Sequence, residues 1–130
     1  MLKAILAVAS GGALGALARF AVVSVTPFVL NFRFPFGTLI VNTLGSFLIG
    51  FLMVLLLGRY VMGAETWRLF LVVGFLGAFT TFSSFAWETW YLVENGQWLG
   101  ATINIIANNF LTLLFALLGM FSGRWLLGSV

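Results

Sequence analysis

Polar side chains set into an apolar chain are the groups that could do chemistry here, and they recur at regular spacing. Thr38, Asn42 and Ser46 stand four residues apart, and so do Asn104, Asn108 and Thr112. A step of four keeps each set on one face of a helix. Between them lies Thr80-Thr81-Phe82-Ser83-Ser84-Phe85, with four hydroxyls and two rings. Hydroxyls and amides donate and accept hydrogen bonds without carrying a charge. That chemistry suits holding or passing an ion rather than breaking bonds. The chain has no Cys, no His and no Asp, which removes the usual metal clusters, catalytic triads and aspartyl dyads. The mid-span Ser residues have no His, Lys or Asp partner to activate them. An enzyme is therefore not expected.

The elements that position these groups follow from composition. Of 130 residues, 62% are hydrophobic and 7% charged, and the mean hydropathy is +1.17. A water-soluble domain needs more polar surface than this, so lipid is the expected solvent. A span takes ~20 mostly apolar residues, and four spans use nearly the whole chain as one domain, residues 1–130. The reading is all-α and integral to the membrane. Helix one runs from Leu2 to Val25, followed by a loop from Thr26 to Pro35 containing Pro27, Asn31 and Arg33. Helix two runs from Gly37 to Gly58-Arg59. A short loop with Gly63 and Glu65 leads to helix three, from Thr66 to Val93. Asn95-Gly96 makes a turn, and helix four runs from Trp98 to Leu127. Trp67, Trp90, Trp98 and Trp125 near span ends read as interfacial aromatics. Lys3, the apolar run after it and Ala16-Leu17-Ala18 imitate a secretory leader. Gly11, Gly12 and Gly15 interrupt that run, so a retained first helix is expected.

An even number of spans places both termini on one side, with Lys3, Arg59, Arg68 and Arg124. The other side has Arg19 and Arg33. Counting Lys and Arg, this bias is weak. It mildly favours termini inside and also suits a chain that inserts both ways, which would permit an antiparallel two-fold dimer. The net charge of +3 is scattered over span ends and gives no nucleic-acid signal.

Polar groups within a membrane are costly and need a reason. For Ser46 and Thr102 the expected role is bonding between helices. For Asn42 and the hydroxyls of helix three, their density favours a polar pathway. Gly74, Gly77 and Thr80-Thr81 fit either of two readings. One is a helix break that frees carbonyls for a cation; the other is close helix packing. Phe82 and Phe85 share a face, and ring edges attract anions weakly. Among 15 Phe, ordinary packing is the plainer reading of that pair. Gly11-xxx-Gly15 reads as a helix contact face. Arg19 fits a snorkelling cation or, preferably, positive potential at an anion vestibule. Residues alone leave the place of Glu88 open. Helix one has no carboxylate to serve the alternative, a small proton-coupled multidrug-type exporter.

Two segments carry a family likeness: Pro35-Phe-Gly-Thr-Leu-Ile-Val-Asn42 with Gly45, and Gly74-Phe-Leu-Gly77-Ala-Phe-Thr80-Thr-Phe82-Ser-Ser-Phe85. With these motifs, this length and four spans, the chain resembles the Fluc-type fluoride channels, the CrcB family. It departs in having Ala78 where the family usually has a second glycine. The resemblance implies a dual-topology antiparallel homodimer in a bacterial or archaeal plasma (inner) membrane, with two fluoride pores at the subunit interface. It implies a helix three broken in mid-membrane and a structural Na+ at the dimer centre, on the backbone carbonyls of Gly77 and Thr80. It also implies a fluoride path along Asn42, Phe82, Phe85, Ser83, Ser84 and Thr112, with Arg19 near the vestibule.

Overall fold

The computed structural model describes residues 1–30, 34–58 and 63–128. Four helical stretches are long and apolar enough to cross a membrane: Leu2–Leu30, Phe36–Leu57, Ala64–Glu94 and Trp98–Leu126. Leu2–Leu30 is α1 and Phe36–Gly58 is α2. The third span is divided. Its first part, α3 (residues 64–79), starts with Ala64–Trp67, widens into a π-helix over Arg68–Leu76 and closes with the turn Gly77–Phe79. After two extended residues, α4 spans Phe82–Glu94, and α5 spans Trp98–Leu126. Large side chains such as Phe20, Phe28, Leu99 and Trp125 point outward, which a lipid solvent permits and water would not. The chain is a multi-pass membrane protein.

α1 does not end at Val25. It continues through Pro27 to Leu30, where the sequence suggests a loop. Proline removes one backbone donor, the one that would reach the Val23 carbonyl; beside it the Thr26 hydroxyl donates to the Val22 carbonyl at 2.6 Å. In lipid, continuing the helix satisfies more backbone groups than a loop would, and membrane helices tolerate proline on those terms. Asn31, Arg33 and Arg59 lie outside the described residues. The Asn95-Gly96 turn is as expected. Gly96 takes φ 72°, Gly96 N–H donates to the Val93 carbonyl, and Gln97 N–H donates to Leu92. These two hydrogen bonds close the α4 C-terminus and favour glycine in the left-handed position.

Small residues set the distances between helices. A Cβ at Gly11 would fall on the Phe70 carbonyl oxygen, and one at Gly15 on that of Phe75. Gly74 lies within reach of Val8, Gly11 and Gly12 in return. The four-residue step on α1 meets a five-residue step on α3 because a π-helix needs more residues per turn. Gly74 therefore serves close packing, and the chain breaks further on. α2 and α5 approach similarly: a Cβ at Gly50 would meet the Ala116 carbonyl, and one at Gly119 the Phe47 carbonyl. Val41, Leu76 and Phe79 form the buried core, flanked by Ala18, Val22, Leu48, Leu52 and Phe75. That core lies directly behind the break in the third span.

Candidate functional site

Thr80 (φ −83°, ψ 157°) and Thr81 (φ −155°, ψ 112°) are both extended. Two extended residues end α3 and let α4 start afresh. The Thr81 N–H donates to Asn42 Oδ1 at 2.8 Å, and Asn42 Nδ2 donates back to the Thr81 carbonyl at 3.1 Å. One amide side chain on α2 thus replaces both backbone partners that Thr81 loses. The Thr81 hydroxyl caps α4, accepting from Ser84 N–H at 3.2 Å. It also donates to Ser84 Oγ at 3.0 Å and lies 3.3 Å from Ser83 Oγ. Gly45 lets α2 pass this close, since a Cβ there would overlap the Thr80 methyl.

The break changes which backbone groups are available. In an unbroken helix the Gly77 carbonyl would receive Thr81 N–H, and the Thr80 carbonyl would receive Ser84 N–H. Here those donors go to Asn42 Oδ1 and Thr81 Oγ1. Among the described residues no hydrogen bond ends on the Gly77 or Thr80 carbonyl. Oxygen-only positions of this kind at the C-terminal end of a half-helix suit a hard cation such as Na+. No group of three His, Cys, Asp or Glu side chains that could hold a metal occurs among the described residues. The first N–H groups of α4 present the opposite, positive end of a helix dipole.

An open groove of about 340 Å³ runs along the break. Its lining includes Asn42, Ser46, Gly77, Thr80, Phe82, Phe85, Asn109 and Thr112. Phe82 is 76% exposed and Phe85 only 7%, with ring centroids 5.2 Å apart and planes tilted by 59°. Asn42 lines the groove, yet its Nδ2 is engaged, by the Thr81 carbonyl and by Asn108 Oδ1 at 3.2 Å. The Thr112 hydroxyl donates to the Asn108 carbonyl at 2.6 Å. Ser83 and Ser84 belong to the capping cluster on Thr81 beside the groove. Arg19 is half-buried on α1 and is not among the groove residues. Ser46, expected to join helices, lines the groove instead. Thr102 bonds to the Trp98 carbonyl of its own helix at 3.0 Å and, among the described residues, to no other helix. Glu88 accepts from the Thr38 hydroxyl at 2.6 Å and lines a separate cavity with Pro27, Phe36 and Gly37.

Sequence reading passed over Asn109 and Thr89. Asn109 sits one residue past the Asn104–Asn108 stripe and reaches the groove from its edge. Thr89 receives Asn104 Nδ2 at 2.9 Å, and its signal, a hydroxyl on α4 opposite a buried amide, exists only once the helices are packed.

Residues 6–120 match the family described as CrcB-like protein, Camphor Resistance (CrcB). A relative from Legionella pneumophila is 48% identical over 122 residues, covering 94% of this chain and 90% of the relative. One from Coxiella burnetii is 42% identical over 112 residues, covering 86% and 90%. One from Pyrococcus abyssi is 41% identical over 123 residues, covering 95% and 98%. All three bear the name fluoride-specific ion channel FluC. A family match along this length, joined to four spans and a broken third helix, leaves one conclusion: the chain belongs to the CrcB family, the family of the Fluc-type fluoride channels.

Proposed function

We propose that the protein is a passive, fluoride-selective channel that lets fluoride leave the cytoplasm and so lowers its toxicity. The carrying observation is the groove at the break, a mainly apolar wall with Phe82 and Phe85, set with the amide and hydroxyls of Asn42, Ser46, Thr80 and Thr112, in a chain whose relatives are named fluoride-specific ion channels. Neutral HF crosses lipid, ionises in the less acidic cytoplasm and is trapped there as the anion. A pore then needs no coupling, because the inside-negative potential drives fluoride out.

The working unit is an antiparallel homodimer of dual topology in a bacterial or archaeal plasma membrane. An open groove facing lipid would strand its polar atoms, and a second copy laid across it would close it. Two copies related by a two-fold axis have two grooves, hence two paths. The weak Lys and Arg bias allows both orientations. Gly77 is exposed, and a Cβ there would meet only the Val72 carbonyl, at 3.8 Å, so packing within the described protomer does not require glycine there. The Gly77 and Thr80 carbonyls would hold the central Na+. When bound, that ion supplies a fixed positive charge at the dimer centre.

The fluoride path runs by Asn42, Phe82, Phe85, Ser83, Ser84 and Thr112, with Arg19 raising the potential at the vestibule. Hydroxyls and ring edges bind weakly enough for the ion to leave. The exporter alternative would need a carboxylate in the groove, whereas Glu88 lines a different cavity. The test is fluoride efflux from liposomes, with chloride as control and Phe82→Ile alongside. Fast fluoride loss without chloride loss, slowed by the substitution, is expected. No fluoride loss from folded protein overturns the reading, and proton-coupled efflux of a cationic dye would put the exporter in its place.

A further inference from the structure

The amides beside the groove form one directed chain. Thr81 N–H donates to Asn42 Oδ1 at 2.8 Å, and Asn42 Nδ2 donates to Asn108 Oδ1 at 3.2 Å. Asn108 Nδ2 donates to Asn104 Oδ1 at 2.9 Å, and Asn104 Nδ2 donates to Thr89 Oγ1 at 2.9 Å. The Thr89 hydroxyl then donates to the Phe85 carbonyl at 2.8 Å. The chain leaves α4's N-cap, crosses α2 and α5, and returns to α4 four residues on. Both ends are backbone. The Thr81 N–H and carbonyl set the Asn42 amide. The Asn104 backbone carbonyl, which takes the other Asn108 Nδ2 hydrogen at 3.1 Å, sets that of Asn108. Asn104 then has its Oδ1 on Asn108 and its Nδ2 on Thr89, so the amides align in one direction. Asn42, Asn104 and Asn108 are all buried, Asn104 completely. In such surroundings a reversed amide would leave donors facing donors, and aligned bonds strengthen one another.

We propose that Asn104 and Thr89, which do not line the groove, are positioning residues for the ion path. They brace Asn108 and Asn42 from behind by tying α5 to α4, and so hold the Thr81 break and the Phe82–Phe85 pair in one geometry. Their effect on conduction rests on the channel reading above; the relay itself does not. With both Nδ2 hydrogens of Asn42 and of Asn108 engaged internally, these two residues shape the groove wall. Direct donation to a passing anion is left to groups such as the second Nδ2 hydrogen of Asn109, whose first goes to the Ile105 carbonyl at 2.8 Å.

The test compares Thr89→Val, which keeps shape and removes the hydroxyl, with Thr89→Ser, which restores it, and with Asn104→Leu. Two readouts are taken on purified protein of matched monodispersity. The first is hydrogen exchange at the Thr81 amide, which neither substituted residue touches. Losing one member of a buried network should speed it on the order of tenfold, with Thr89→Ser near the parent. The second is the fluoride-to-chloride flux ratio in liposomes, expected to fall by a similar factor in Thr89→Val and recover in Thr89→Ser. If Asn104→Leu does not fold, the Thr89 pair decides alone. Unchanged Thr81 exchange in Thr89→Val overturns the relay, and changed exchange with an unchanged flux ratio overturns its role in selectivity. If the parent protein conducts no fluoride, the channel reading fails while exchange still judges the relay.

Discussion

Along α1 and α3 the two backbones meet directly. Gly11, Gly15 and Gly74 leave no room for a methyl, and among the described residues no side-chain hydrogen bond runs between these helices. Across α2, α4 and α5, contact at Gly50 and Gly119 is joined by buried amides and hydroxyls linking all three. Lipid tails are as apolar as leucine, so burial alone does not hold membrane helices together; close packing and hydrogen bonds must. The first region uses only close packing and is a scaffold. The second puts polar groups at a cost that packing alone does not require, and it is there that the helix breaks and the groove opens.

The sharpest way to break this contrast is Gly15→Leu. Its side chain must displace the Phe75 backbone carbonyl rather than a flexible side chain, so the yield of monodisperse protein in size-exclusion chromatography should fall more than tenfold. Asn42→Leu attacks the other region. It leaves the Thr81 N–H and carbonyl without partners, at about 1–3 kcal/mol each. Fluoride flux per folded protein should drop roughly a hundredfold, with recoverable protein reduced far less than in Gly15→Leu. If Asn42→Leu instead keeps its flux, the amide is ordinary interhelical bonding and the contrast collapses. Gly45→Ala is intermediate. The Thr80 methyl must move by a fraction of its own size, at about 1–3 kcal/mol, read as a lower midpoint in thermal unfolding with slower flux. Thr102→Ala marks the floor. Its exposed hydroxyl only returns to its own helix, so stability should stay within about 0.5 kcal/mol.

Much of this architecture was legible in the residues because it is local. Apolar runs of span length, the Asn95-Gly96 turn and the polar stripes of α2 and α5 depend on neighbours a turn or two away. Helix one's end was misplaced for a related reason: Pro27 is a breaker in water, whereas in lipid the chain keeps its remaining backbone bonds by staying helical. Gly74 and Gly77 invited two readings that local spacing does not separate. Packing assigns Gly74 to α1 and leaves the break to Thr80–Thr81, the last two of the residues that the sequence offered for it.

The sequence by itself determined four apolar spans, the glycine face on α1, a polar stripe on one face of each of the helices bearing Asn42 and Asn108, and the family motifs. Each follows from residue type at a short period. Tertiary structure alone decided where the third span opens, that α3 widens to a π-helix, that Ser46 faces the groove, and that Asn42 is a brace. Thr81 can leave its helix only because an amide 39 residues away takes both its N–H and its carbonyl. A backbone group in lipid must be satisfied somewhere, and which distant side chain satisfies it is settled only when the helices pack.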